Sequence, residues 1–213
     1  MSTDQAPTRR PYRSPRRQQQ AAETRAAVVE AATRLFGERG WAATGMRDVA
    51  REAGVSVETV YAGFRTKADL LMAALDVAVV GDAAPVPLEE RPQFAGLAQG
   101  TRTDRARAAA VLAADIHLRT LGVNLALREA AASDPTLDGL MRQREEGRRH
   151  NVATAAALVA GREVSPEVVD GLWVVVDVGP YRLLTDLRGW SHEQYVAWLA
   201  DSILRLLADP EEA

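Results

Sequence analysis

Residues Thr44 to Leu70 read TGMRDVAREAGVSVETVYAGFRTKADL, and this stretch decides the fold. Met46, Val49, Ala50 and Ala53 recur at helical spacing, which gives a first short helix one apolar face. Gly54 can take the left-handed conformation that side chains with a Cβ resist, Val55 returns to the core, and Ser56 offers a capping hydroxyl. Val60 and Phe64, four apart, anchor a second short helix to the same core. The spacing predicts a helix-turn-helix, the arrangement that presents its second helix to a DNA major groove.

Working outward, Val28, Ala32 and Phe36, with Ala31 and Leu35, form the stripe of a first helix ending at Gly40. Thr66 to Asp69 reads as a capping box that opens a connecting helix through Leu75 and Ala78. The arginine-rich start, with RRPYRSPRR at 9–17, reads as a disordered arm. It is either a solvated tail or one able to follow a minor groove. Residues 81–92 (GDAAPVPLEERP) read as a loop or linker. Beyond it, helices are expected near 94–99, 103–120, 122–132, 135–160, 165–188 and 191–208, with a kink or break at Gly179-Pro180. No sustained alternation of strand type occurs, so the expected class is all-α. The expected domains are an arm at 1–17, a helix-turn-helix domain at 18–65, a connecting helix at 66–80 and a helical domain at 81–213.

The net charge of −3 hides an asymmetry. Residues 1–80 carry 12 Lys/Arg against 9 Asp/Glu, and the remainder carries 14 against 20. A basic first part before an acidic remainder fits a nucleic-acid module joined to a domain with another task. Cys is absent, which excludes disulfides and thiolate metal sites and fits a reducing cytoplasm. No apolar run is expected to reach membrane-span length, and the polar N-terminus lacks a signal-peptide core. A cytoplasmic chain with no membrane partner is therefore expected, nucleoid-associated when bound to DNA.

No enzyme is expected. His117, His150 and His192 are far apart, no glycine-rich phosphate loop occurs, and Asp115 and His117, two apart, leave a helix on different faces. Catalytic residues, metal sites and cofactors are accordingly expected to be none. A helical adaptor using the first domain for protein contacts is the other class, opposed by the charge split and by Lys67.

On the second short helix, Glu58 can accept from a cytosine amino group, while Val57 or Thr59 can pack on a thymine methyl. Ser56 stands at its start. Tyr61 suits a phosphate contact, with a core position as the alternative. Thr44 and Arg47 are placed for phosphates at the start of the preceding helix. Lys67, the only lysine, sits in the first turn of a helix, where the macrodipole disfavours a cation unless a phosphate also sits there.

At these residues the chain resembles the TetR family of transcriptional regulators. The motifs are G-W-x-x-T from Gly40, D-V-A-x-E-A-G-V-S from Asp48, T-V-Y-x-x-F from Thr59 and K-x-x-L-L from Lys67. The resemblance implies a dimer of all-helical subunits. Each has an N-terminal three-helix DNA-binding domain and a C-terminal domain that dimerises and usually holds a small molecule. Members are mostly repressors released by an inducer; an activator or a ligand-independent regulator of the same fold is the alternative. The chain departs from the pattern at Gly45, at Val57 and Glu58, and at Gly63, which implies fewer phosphate contacts and an operator of its own.

By the same resemblance the last two helices would form the dimer interface, through Leu172, Val176, Leu184, Trp198, Leu199, Ile203 and Leu206, with burial of about half of these within the subunit as the alternative. Candidate effector-binding residues are His117, Asn124, Arg128, His150, Trp173 and Asp177, with Asn151 beside them. The effector itself is unknown from sequence. The expected partners are operator DNA, a second copy of the chain and that effector.

Overall fold

The computed structural model describes residues 15–208 apart from 83, 85 and 133. The arm at 1–17 lies outside the described residues except for 15–17, which are helical. They belong to helix α1 (Pro15–Arg39). Its stripe is as expected: Ala32, Leu35 and Phe36 are fully buried, and Gly40, at φ 75°, ends it. Each such side chain, the alanine apart, contributes about 1.5–3 kcal/mol by leaving water.

Helices α2 (Met46–Glu52) and α3 (Val57–Gly63) form the helix-turn-helix, joined through Gly54 at φ 67°. Met46, Val49, Ala50, Val60 and Phe64 are buried together against α1. The Ser56 hydroxyl accepts from the Thr59 N–H and starts α3. Helix α4 (Lys67–Val80) opens on the reciprocal Thr66–Asp69 capping box.

The proline-rich segment after α4 is held in place. Arg91 grips both oxygens of Asp82 at 2.6 and 3.0 Å and donates to the Val86 carbonyl. The short helix α5 (Pro92–Ala95) follows, with Phe94 and Leu97 buried.

Helix α6 (Arg102–Ala131) is continuous across the expected interruption near 121. Gly122 serves packing instead of ending a helix: a Cβ there would lie 2.6 Å from the Gly37 Cα, so α6 and α1 cross backbone to backbone. By length and composition α6 could also cross a membrane, contrary to the expectation that no segment would. Here it is the central helix, packed against α1, α4, α7 (Pro135–Ala160) and α10 (His192–Leu206).

The expected helix over 165–188 is three pieces: α8 (Pro166–Val175), α9 (Val178–Arg182) and a π-helical turn at Leu183–Leu187. The break falls at Val176 and Asp177, ahead of Gly179-Pro180, because the Asp177 carboxylate caps α9 by accepting from the Gly179 N–H at 2.7 Å. Pro180 then sits in a first turn, where it is tolerated.

Two cores result. One joins α1–α4 to Val123, Ala126, Leu127 and Ala130 of α6; the other joins the first half of α6 to α7, α8 and α10. All described elements are helical. The first core therefore draws on residues well beyond position 80, and α6 belongs to both.

Candidate functional site

The outer surface of α3 carries Glu58, Thr59, Tyr61 and Ala62, all exposed, while Val60 is turned inward. Tyr61 is 52% exposed, so it is no core aromatic. Val57 is half-buried and packs against the first core. The Glu58 carboxylate is held below its usual range by its own backbone N–H and by the Ser56 hydroxyl. It therefore stays an acceptor at neutral pH. Arg47 is exposed at the start of α2.

Two expected phosphate ligands are committed elsewhere. Thr44 is 1% exposed, and its hydroxyl donates to the carbonyls of Leu35 and Gly40 at 3.1 and 2.9 Å. It completes the C-terminus of α1 instead of facing solvent. Lys67 donates to the Trp41 carbonyl and lies 4.0 Å from the centre of the Trp41 ring. Burial lowers its pKa, and Glu129 partly offsets this. The cation at that helix start is thus explained by an indole face and a carboxylate, with no phosphate required.

Two residues that no local pattern marks hold this unit in place. Arg25 of α1 donates to the Gly63 carbonyl at 2.9 Å and lies over the Phe64 ring at 4.1 Å, clamping the C-terminus of α3. Glu129, near the end of α6, accepts from the N–H groups of Trp41 and Ala42 at 2.8 and 3.1 Å. Those N–H groups diverge from the left-handed turn at Gly40 and cradle the carboxylate. Glu129 is 87 and 88 positions away from its partners, which is why sequence reading missed it.

The second half of the molecule contains a cavity of about 680 Å³ between α4, α6 and α7, floored by residues around Leu172 and Asp177. His117, Asn124, Arg128, His150, Asn151 and Asp177 all line it; Trp173 does not. Trp173 stands behind the wall, its ring 4.9 Å from the guanidinium of Arg148, which does line it.

His117 meets the Tyr195 hydroxyl at Nδ1, 3.2 Å away. Burial pushes its pKa down to about 4, with Asp177 and the Val176 carbonyl only partly offsetting that, so the ring is neutral at pH 7. Asp115 turns away from His117 and pairs with His192 at 3.3 Å.

The expected dimer residues divide. Leu172, Leu199 and Ile203 are buried within the subunit, and Leu172, Val176 and Ile203 line the cavity. The break before α9 and the packing of α10 onto α6 turn these four inward. Leu184, Trp198 and Leu206 are half-buried at the edge of the second core. The exposed apolar surface nearby is made by Val174, Leu183 and Leu187, the last 70% exposed.

A helix-turn-helix domain whose core is closed by the same helix that walls a cavity defines a class: an all-helical DNA-binding-type regulator fold. Residues 28–74 match the family described as "Bacterial regulatory proteins, tetR family". That span takes in the second half of α1, the helix-turn-helix and the start of α4, so it is the DNA-binding part that is similar to the family. It is 46% identical over 61 residues to the HTH-type transcriptional regulator TtgR of Pseudomonas putida. That match covers 29% of this chain and 29% of that relative, so the chain spans under a third of the relative's length by this likeness.

A TetR-family regulator structure from Rhodococcus sp. superposes with a TM-score of 0.68 at 21% identity, covering 88% of this chain and 100% of that one. The multidrug binding protein EbrR complexed with ethidium superposes at 0.57 with 25% identity, covering 86% of this chain and 98% of that one.

Proposed function

We propose that this chain is a transcriptional regulator, most simply a repressor, that binds a palindromic operator as a homodimer and is released by a small molecule entering the cavity. The observation that carries the reading is the double role of α6. Its Asn124 and Arg128 line the cavity, while Gly122, Val123, Ala126 and Glu129 hold the DNA-binding unit. A ligand that shifts this helix changes the placement of the unit, which is the differential contact coupling requires. EbrR, a structural neighbour solved with ethidium, supports a small-molecule role for this cavity. Bound operator occludes a promoter without any further surface, which favours repression over activation.

The DNA contacts are assigned to Arg47 and Ser56 at the helix starts and to Glu58, Thr59 and Tyr61 on α3. The dimer is assigned to Val174, Leu183 and Leu187, with Leu184, Trp198 and Leu206 at their edge. A two-fold axis there sets the two α3 helices about one DNA turn (~34 Å) apart. Such a regulator works in the cytoplasm, on the nucleoid when bound.

Mobility shift with the intergenic DNA beside the gene, across a salt series, tests this. Binding should weaken steeply as salt rises and should survive random competitor DNA. Salt-insensitive or absent binding would remove the regulator reading.

A further inference from the structure

Groups of the cavity wall build the junction between α8 and α9, a link that rests on the effector and dimer readings proposed above. A helix continued past Val175 would need the Pro180 N–H at the Val176 carbonyl, and proline has none. Val176 leaves the helical range at ψ 41°, and Asp177 is extended at ψ 155°. The last turn of α8 therefore presents carbonyls that its own backbone does not fill.

Arg148 of α7 supplies the missing donors. Its Nη1 donates to the Trp173 and Val176 carbonyls at 2.9 and 3.1 Å. Its Nε donates to Glu145 at 2.9 Å, its Nη2 lies 3.5 Å from Asp177, and the guanidinium stands over the Trp173 ring. One planar fork thus ties the end of α8 to Asp177, the residue that caps α9. His117 of α6 is turned toward the same Val176 carbonyl, while its Nδ1 meets Tyr195 of α10.

This sets Arg148 apart from the other guanidiniums of the cavity. Arg144 pairs with Asp76, and Arg128 lies 3.5 Å from Asp177; among the described residues each meets a carboxylate and no backbone. Arg148 is half-buried, lines the cavity and holds backbone. A group that competes for it inside the cavity therefore acts directly on the junction. The exposed Val174 lies before that junction, and the exposed Leu183 and Leu187 lie after it. A change at Val176 and Asp177 moves the two parts of this apolar surface against each other.

We propose that Arg148 is a positioning residue that joins the cavity to subunit pairing. While its guanidinium stays on the Trp173 and Val176 carbonyls, it sets the angle between α8 and α9, and with it the face formed by Val174, Leu183 and Leu187.

Arg148→Met keeps an apolar stem and removes the fork, so it tests this in the full chain by sedimentation equilibrium and amide hydrogen exchange. Losing bonds from a charged donor should raise the dimer dissociation constant about tenfold or more, and exchange over residues 177–187 by a similar factor. Exchange in α2 and α3 should match the parent chain. Adding Pro180→Ala gives the Val176 carbonyl an N–H and lets α8 run on into α9. The double variant should regain protection over 177–187 without regaining dimer affinity, because the two helices are then continuous. An Arg148 that only stabilised the fold would have both restored together.

Unchanged pairing and exchange in Arg148→Met, a rise in exchange spread evenly over the chain, or joint recovery in the double variant would each overturn the proposal. Leu187→Glu, run beside them, separates it from the interface reading. A dimer lost in Leu187→Glu but kept in Arg148→Met overturns the positioning role alone. A dimer kept in Leu187→Glu counts against the interface reading. The positioning of α9 is then judged by exchange over 177–187, upheld by a local rise and overturned by none.

Discussion

At the scale of single residues, two groups chosen for their chemistry acquired different roles from their surroundings. His117 is a neutral, buried hydrogen-bonding ring, and its titration makes a prediction. In the unfolded chain it takes a proton near 6.5, and in the folded chain only at about 4. Below 6.5 the unfolded state therefore binds the extra proton, and stability falls as the pH drops toward 4. Between pH 7 and 4.5 the loss from this group is about 2–3 kcal/mol. Urea unfolding at the two pH values measures it, and His117→Gln should flatten that part of the profile. An unaltered slope in the variant would assign the acid sensitivity elsewhere.

Lys67 makes the second prediction at this scale. With its ammonium on Trp41, Lys67→Ala should cost about 1 kcal/mol of stability through the lost cation–π contact. It should leave the slope of DNA affinity against salt unchanged, whereas a phosphate ligand would lower that slope by about one.

At the scale of elements, α6 is the part on which both halves depend. Gly122→Ala would gain up to about 1 kcal/mol of helix propensity, but its Cβ would press on the Gly37 backbone. Overpacking of that kind costs about 1–3 kcal/mol, and backbone cannot rotate aside as a side chain can, so the net effect should be destabilising. Thermal unfolding checks the sign.

Glu129→Gln keeps the shape of the carboxylate and removes its charge, which roughly halves the strength of its bonds to Trp41 and Ala42. The expected result is a folded protein, about 1 kcal/mol less stable, whose DNA affinity responds less to cavity ligands. A full response in the variant would show that coupling runs by another route. The helix-turn-helix, its caps and the capping box of α4 were legible from local spacing, because each depends on residues within a turn or two. The continuity of α6 was not, because Gly122 looks like a helix breaker until Gly37 is seen beneath it.

At the scale of the molecule, the exposed Val174, Leu183 and Leu187 are the surface a second copy would cover. Leu187→Glu should yield monomers by analytical ultracentrifugation at concentrations where the parent chain is dimeric. Operator affinity should fall steeply, because two half-sites are no longer engaged together. A dimeric variant would move the interface to another face. Of the seven residues proposed for this role from periodicity, Leu172, Val176, Leu199 and Ile203 face inward, since a stripe shows that a face is covered but not by what.

By itself the sequence determined the all-helical class, the helix-turn-helix and its family likeness. Those rest on periods of three and four, on glycine conformations and on caps, all set within a few residues. It also marked polar residues that the fold gathers around one cavity, without a reason to group them. Only the tertiary structure decided that Thr44 and Lys67 belong to the fold's own hydrogen bonding, that Arg25 and Glu129 hold the helix-turn-helix, and that the cavity's charges close on one another. Each depends on groups tens of residues apart, and distance along the chain carries no record of which side chains will share a low-dielectric interior.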